Sequence, residues 1–148
     1  MKHNFELKAV WRGGLAGKGN LKAKGLEAAF SIPSELRGPG EGTNPEELLL
    51  AASSSCFLIT LGVSLNLQGV PVQEVILESH LQMEMENGFT VKSIEHSPLV
   101  RIDGEITPEL IRTVDSAVRR AEEHCLIAKA LRGNVVLKIS GPAVERAR

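Results

Sequence analysis

Tyrosine is absent from this 148-residue chain, and one tryptophan and four phenylalanines make up all of its aromatic content. With a formal net charge of -1, there is neither a basic field to draw in a phosphate backbone nor a set of rings to stack on bases. Nucleic acid is therefore an unlikely partner. Cysteine is nearly as scarce. Two residues, Cys56 and Cys125, are too few for the dense disulfide framework of a small secreted domain, so they read as buried core thiols or as a reactive pair. The N-terminal "MKHNFELKAVW" lacks the apolar stretch and small-residue cleavage site of a secretory signal, and the expectation is a cytoplasmic protein. Internal repeats and low-complexity tracts are also missing.

Length and a 43% hydrophobic content fit one domain spanning residues 1–148 with a core of ordinary size. Residues 5 to 31 hold short segments, "FELKAVW", "GNLKAK" and "LEAAFSI", separated by glycine-rich turns, which predicts a meander of antiparallel strands. Proline and glycine in "PSELRGPGEG" break any regular element. Asn44 then offers an N-cap, Pro45 suits the first helical position, and Glu47 completes a capping-box pattern.

No charged residue occurs from Leu48 to Gln68, yet Ser53, Ser54, Ser55, Thr60, Ser64 and Asn66 interrupt the run too often for a comfortable membrane span. The better reading is a buried helix of a soluble protein. Such a helix needs cover on nearly every face, more than a domain of this size supplies alone, and a second subunit is the natural cover.

Beyond Gly69, "VQEVILESHLQMEME" and "FTVKSIEHSPLVRIDGEI" flank an "ENG" turn and predict a long antiparallel hairpin. Thr107 and Pro108 start a second helix whose stripe runs Leu110, Val114, Ala117, Val118, Ala121 and on to Cys125. A short helical "LIAKALR", the strand "NVVLKIS" and a charged tail follow, so the fold class is α+β. His80 and His96 could face one another across the hairpin, but no Cys or His lies at metal-ligand spacing from them, and no metal is expected. His124 is expected at a surface or an interface, because adjacent helical residues do not face each other and a pairing with Cys125 is disfavoured.

Three segments together carry a family resemblance: "AVWRG" near the start, "GTNPEELLLAASSSCF" in the middle and "AEEHCLIAKALRGNV" near the end. The chain resembles the OsmC/Ohr family of thiol-dependent hydroperoxide peroxidases, and more its OsmC branch. The resemblance implies an OsmC-like fold, with antiparallel sheets wrapping two central helices in an intertwined homodimer. It implies that Cys56 attacks a small organic hydroperoxide and becomes a sulfenic acid, and that Cys125 resolves it as a disulfide. A dithiol reductant protein, with lipoyl groups as the suggested electron source, would recycle the enzyme without a bound cofactor.

By the same resemblance Arg37 matches the catalytic arginine and Glu46 its carboxylate partner, with Arg12 a rival to Arg37 on the strand side. A guanidinium favours thiolate, which a thiol among apolar residues and three turns into a helix otherwise lacks the means to hold. In an unbroken helix Glu46 and Cys56 lie about 15 Å apart along the axis. The expectation is a break between them, or service by Glu46 to the other subunit. Many family members carry proline after the second cysteine, whereas Leu126 stands here, which alters the local helix start. The runner-up function is a non-catalytic module of the same fold that binds an apolar small molecule.

Overall fold

The computed structural model describes all 148 residues as two compact units, residues 1–49 and 50–148. The first unit carries β1 (Lys8–Arg12), β2 (Lys18–Lys22) and β3 (Glu27–Ser31), an antiparallel meander in that order. Gly19 in β2 exists for Trp11 and Phe30, whose rings approach to 5.5 Å on centroids: a Cβ on Gly19 would fall 2.3 Å from the Phe30 ring. After β3 the chain makes a 3-10 turn, Ser34–Leu36, and folds back on the strand it left. Ser31 Oγ donates to the Glu41 carbonyl and accepts from the Glu41 N–H, both at 2.8 Å. Thr43 N–H donates to Ala29 O at 2.9 Å, so both ends of the Pro/Gly loop are tied to β3.

Helix α1 (Pro45–Leu67) begins in the first unit and continues in the second. Asn44 caps it as expected, its Oδ1 accepting from Glu47 N–H at 2.8 Å. The carboxylate of Glu47 differs from a capping box: it accepts from the Thr43 hydroxyl at 2.8 Å rather than returning to Asn44. No break occurs anywhere in the 23 residues, which removes the expected interruption between Glu46 and Cys56. The helix is long and apolar enough to cross a membrane by length and composition. Its buried residues Ser53, Phe57, Leu61, Ser64 and Leu65 instead recur at spacings of three and four, the mark of one face laid on a protein core. Ile59, Val63 and Leu67 remain exposed.

In the second unit β4 (Val72–Met85) and β5 (Phe89–Ile102) form the long hairpin. Ile94, His96, Pro98, Val100 and Ile102 alternate inward along β5. Helices α2 (Pro108–His124) and α3 (Leu126–Leu131) follow, then β6 (Val136–Ile139) and β7 (Ala143–Arg146). The sheet is mixed rather than purely antiparallel, because β6 and β7 both pair parallel to β5. The strand β7 occupies what the sequence suggested was only a charged tail. Pro98 explains why β5 takes two short partners. It has no N–H to give, and it falls between the segments that pair β6 (Ser93–His96) and β7 (Leu99–Ile102).

Thr107 caps α2 by accepting from Leu110 N–H at 3.1 Å, with Pro108 at the first helical position. The expected stripe is buried: Val114, Ala117, Val118 and Ala121 join Phe57, Leu61 and Leu65 of α1 and Val100 and Ile102 of β5 in one core. Together with Val70, these side chains hold the C-terminal half of α1, the sheet and α2 in fixed register, and that register sets the position of the two thiols.

Candidate active site

Cys125 occupies the one-residue corner between α2 and α3 and closes both helices. Its N–H donates to Ala121 O at 2.9 Å, and its Sγ accepts from Ala128 N–H at 3.4 Å. With φ -59° and ψ 120° it turns the chain sharply, so the N–H groups that open α3 point back across the corner toward α1. There they meet Cys56. Its sulfur is in hydrogen-bonding contact with the Cys125 thiol, the Ile127 N–H, the Leu126 N–H and the Thr60 hydroxyl.

The two sulfurs are consequently unlike. Burial pushes the Cys56 thiol up, but the hydrogen bonds from Cys125, Ile127, Leu126 and Thr60 outweigh it and hold Cys56 below its ordinary value. For Cys125, burial comes first, and the proton it holds toward Cys56 adds to the effect; together they push its thiol up against the opposing N–H groups of Ala128 and Ile127. Cys56 is half-buried and Cys125 is 1% exposed. The pair is arranged as a half-buried, more acidic thiol with a buried, less acidic one behind it, and no disulfide joins them.

Sequence reasoning looked for a cation to acidify Cys56 and did not anticipate the backbone of α3. Leu126, the departure from the family pattern, bears directly on this: a proline at that position would have no N–H to donate. The helix start is intact, with Cys125 as its cap.

Thr60, one turn after Cys56, has one hydroxyl hydrogen, which the Cys56 carbonyl at 2.9 Å shares with the sulfur. It opens onto a cleft of about 260 Å³ lined by Thr60, Val63, Ser64, Leu67, Arg120 and His124. His124 is exposed, as expected, with Nδ1 bonded to the Arg120 carbonyl at 2.9 Å. On the other side of the thiols a cavity of about 10 Å³, room for one water at most, is bounded by Ser53, Phe57, His96 and Cys125 among others.

The remaining predicted residues lie in the first unit. Arg37 closes the 3-10 turn through its N–H to Ser34 O at 2.9 Å, and its side chain is exposed. It is the one non-glycine residue with positive φ, 62°, a conformation that costs an L-residue roughly 1–2 kcal/mol. Glu46 sits in the first turn of α1, where its Oε2 is buried without a hydrogen-bond partner. Arg12, the alternative to Arg37, ends β1 exposed and in ordinary strand geometry. No ion pair engages either arginine.

His80 and His96 do not face one another. Ser79 pairs with His96 and His80 with Glu95, so the two rings project from opposite faces of the hairpin, His96 inward and His80 outward. No group of three His, Cys, Asp or Glu gathers closely enough to hold a metal ion.

A mixed α+β fold with an acidified thiol facing a second, buried thiol matches a known class of redox protein. The family model described as OsmC-like protein matches residues 38–140, and the chain belongs to that family. Among curated relatives, the chain is 36% identical over 138 residues to an uncharacterised protein of Bacillus subtilis, YmaD, covering 93% of this chain and 92% of that one. It is 32% identical over 134 residues to the organic hydroperoxide resistance protein of Xanthomonas axonopodis pv. citri, covering 86% and 87%. A crystal structure described as the organic hydroperoxide resistance protein OsmC of Legionella pneumophila superposes with a TM-score of 0.69 at 28% identity, covering 96% of this chain and 99% of that one.

Proposed function

We propose that this protein is a two-cysteine thiol peroxidase that reduces organic hydroperoxides, and hydrogen peroxide more weakly, in defence against oxidative stress. The observation that carries the reading is the asymmetric thiol pair, with Cys56 lowered by donors at the start of α3 and Cys125 raised and buried behind it.

The Cys56 thiolate attacks the terminal oxygen of the hydroperoxide. The S–O bond forms as the O–O bond breaks, the alkoxide leaves and takes a proton to become the alcohol, and Cys56 is left as a sulfenic acid. The Cys125 sulfur then attacks the Cys56 sulfur, and hydroxide leaves with the Cys125 proton as water. A disulfide remains, and an external dithiol returns two electrons and two protons to restore both thiols. Lipoyl groups on a reductant protein fit that role, and the cycle needs no metal or organic cofactor. Along α1, Val63 and Leu67 give the cleft beside Thr60 apolar walls suited to the alkyl part of a substrate.

Arg37 is the cation we assign to the peroxide and the thiolate, and its strained backbone supports it over Arg12, since such strain persists where function holds it. The buried, unpartnered oxygen of Glu46 supports the carboxylate role, because it lacks a donor of the kind a guanidinium supplies. Ten residues of unbroken helix separate Glu46 from Cys56, about 15 Å of axial rise, so we assign Glu46 to the site of the partner subunit in an intertwined homodimer. The exposed Ile59 of α1, which lies outside that cleft, supports that assembly, as an apolar side chain a second copy would cover. The protein is expected to work in the cytoplasm, without nucleic acid or membrane.

Single-turnover oxidation by cumene hydroperoxide and by hydrogen peroxide tests the proposal, with free thiols counted in wild type, Cys56→Ser and Cys125→Ser. Loss of both thiols in wild type, faster with the organic peroxide, and of none in Cys56→Ser is expected. Survival of both thiols in excess peroxide would overturn the reading and favour a module that holds an apolar ligand in the cleft.

A further inference from the structure

Ser53, Ser54 and Ser55 immediately precede the reactive cysteine, and two of them leave the helix to reach the sheet. Ser54 Oγ donates to Ser79 Oγ of β4 at 2.9 Å. Ser79 Oγ is in turn hydrogen-bonded to Nδ1 of His96 on β5 at 2.7 Å. The other ring nitrogen, Nε2, is hydrogen-bonded to Ser53 Oγ at 3.0 Å, so a neutral ring gives one of these bonds and accepts the other. The chain of bonds therefore starts on α1, crosses both strands and returns to α1.

His96 is 6% exposed and Ser53 2% exposed, and the His96 ring stacks on Phe57 with centroids 5.2 Å apart. Burial alone lowers the His96 pKa, in keeping with a neutral ring. A buried polar network of this kind is expensive unless every member is bonded, and here both ring nitrogens are. Ser53 and Phe57 lie three residues before and one residue after Cys56, so the thiol stands beside the face of α1 that this one side chain grips, about 60° round the helix from Ser53 and about 100° from Phe57. Ser53, Phe57, His96 and Cys125 bound one small cavity, which places His96 across that cavity from the second cysteine.

We propose that His96, through Ser53 and Ser79, is a positioning residue that sets the rotation and height of α1 so that Cys56 meets Cys125 in disulfide-forming geometry. It touches neither the peroxide nor a sulfur. Two anchor points one residue apart on α1, Ser53 to β5 and Ser54 to β4, fix both the turn of the helix and its position along its axis, which the apolar face of Phe57, Leu61 and Leu65 does not do alone, since apolar contacts are non-directional. Disulfide closure is steeply sensitive to such placement, whereas attack on a small external reagent is not.

The inference rests on the peroxidase reading only for its purpose in the cell, and it is tested without peroxide. Diamide takes two electrons and two protons from the two thiols, becoming the hydrazine, and so drives closure directly. Closure by diamide and alkylation of Cys56 by iodoacetamide are timed for wild type, His96→Leu, His96→Gln, Ser53→Ala and Ser79→Ala.

His96→Leu should close roughly tenfold more slowly while Cys56 alkylates within about twofold of wild type. His96→Gln, whose amide can accept from Ser79 and donate to Ser53, should recover most of the rate. If His96→Leu does not fold, the two serine variants carry the same expectation at smaller size, Ser53→Ala losing its bond to His96 and Ser79→Ala its bonds to His96 and Ser54. Closure at the wild-type rate in the variants that fold would overturn the proposal, as would equal slowing of closure and alkylation. A wild type that closes with diamide but ignores hydroperoxides would sink the peroxidase reading and leave this one standing.

Discussion

Replacing Leu126 with proline should separate the acidity of Cys56 from the stability of the fold. Leu126 is 72% exposed and sits at the first position of α3, where its N–H serves the Cys56 sulfur. Proline fits there without strain: the first helical position accepts its fixed φ, and Cys125 ahead of it, at ψ 120°, already has the extended geometry a proline requires of its predecessor. The stiffer unfolded chain contributes about 0.4–1 kcal/mol, which the lost N–H bond offsets, so the variant should fold with close to wild-type stability. At the same time one donor to the thiolate is lost. A hydrogen bond to a charged group contributes about 1.5–3 kcal/mol, and for half-buried Cys56 solvent screening reduces that to about 1 kcal/mol. In thiolate population this is roughly a fivefold loss at any pH where the thiol predominates.

The assay follows the ultraviolet absorbance of the thiolate against pH, together with the rate of single-turnover oxidation, in wild type and L126P. The titration of Cys56 should move upward, oxidation should slow roughly fivefold at low pH, and the two rates should converge where both proteins are fully ionised. Because Cys125 also titrates, the measurement is repeated in the Cys125→Ser background. An unchanged or downward-moving titration in a folded L126P protein would refute the claim that the α3 backbone acidifies Cys56.

Other consequences follow from the same coordinates. Cys125→Ser should accumulate the Cys56 sulfenic acid after one equivalent of hydroperoxide, detected as a dimedone adduct by mass spectrometry, and absence of the adduct with thiol consumed would contradict the resolving role. His96 has its pKa lowered from 6.5 by burial, so the unfolded chain takes up a proton that the folded one refuses as pH falls below 6.5. Stability should then drop by up to about 1.4 kcal/mol per pH unit until the folded value is reached, and urea midpoints of His96→Gln should lack that slope; Glu122 and Lys138 are the charged groups that border the same cavity. Gly42→Ala should cost roughly 1–3 kcal/mol, since its φ is 70° and the new Cβ would fall 2.3 Å from the Ala29 carbonyl oxygen; an unchanged thermal midpoint would argue against the loop packing described for β3. Ile59→Asp on the exposed side of α1 should turn a dimer into monomers in analytical ultracentrifugation, and a monomeric wild type would remove the assignment of Glu46 to a second subunit.

Much of this was legible before any coordinates. The period-two segments flanking "ENG" and the period-3.6 stripe from Leu110 to Cys125 are written in one-dimensional pattern, and the hairpin and α2 appear where that pattern puts them. Asn44–Pro45 and Thr107–Pro108 mark helix starts by local chemistry, which needs no tertiary context. What escaped were relations between distant segments. The parallel pairing of β6 and β7 on either side of Pro98 depends on where a crossover returns, which no local signal encodes, and the four-residue β7 is too short to show a period.

At the site, the two cysteines were legible as a candidate pair in a recognisable motif, and the structure brings them together, but the donors around Cys56 were not legible. Backbone N–H groups carry no residue signature, so a search through side-chain types turned to arginines. His96 was noticed as one of two hairpin histidines and read as a remote metal candidate. Its real neighbours, Ser53 and Ser79, lie 43 and 17 residues away in sequence. The one available hint was the serine run itself, an odd choice for a helix interior unless the hydroxyls have somewhere to go.

The first turn of α3 is turned toward sulfur: the N–H groups of Leu126 and Ile127 face Cys56, Ile127 also reaches Cys125, and Ala128 N–H goes to the sulfur of Cys125. A disulfide carries no negative charge and is a poorer acceptor than a thiolate, so under the proposed cycle each oxidation would loosen the start of this helix and each reduction would tighten it again. The α2–α3 corner is thus a place where the redox state of the protein is written into backbone solvation, and deuterium exchange at residues 126–128 would read it without any label on the thiols.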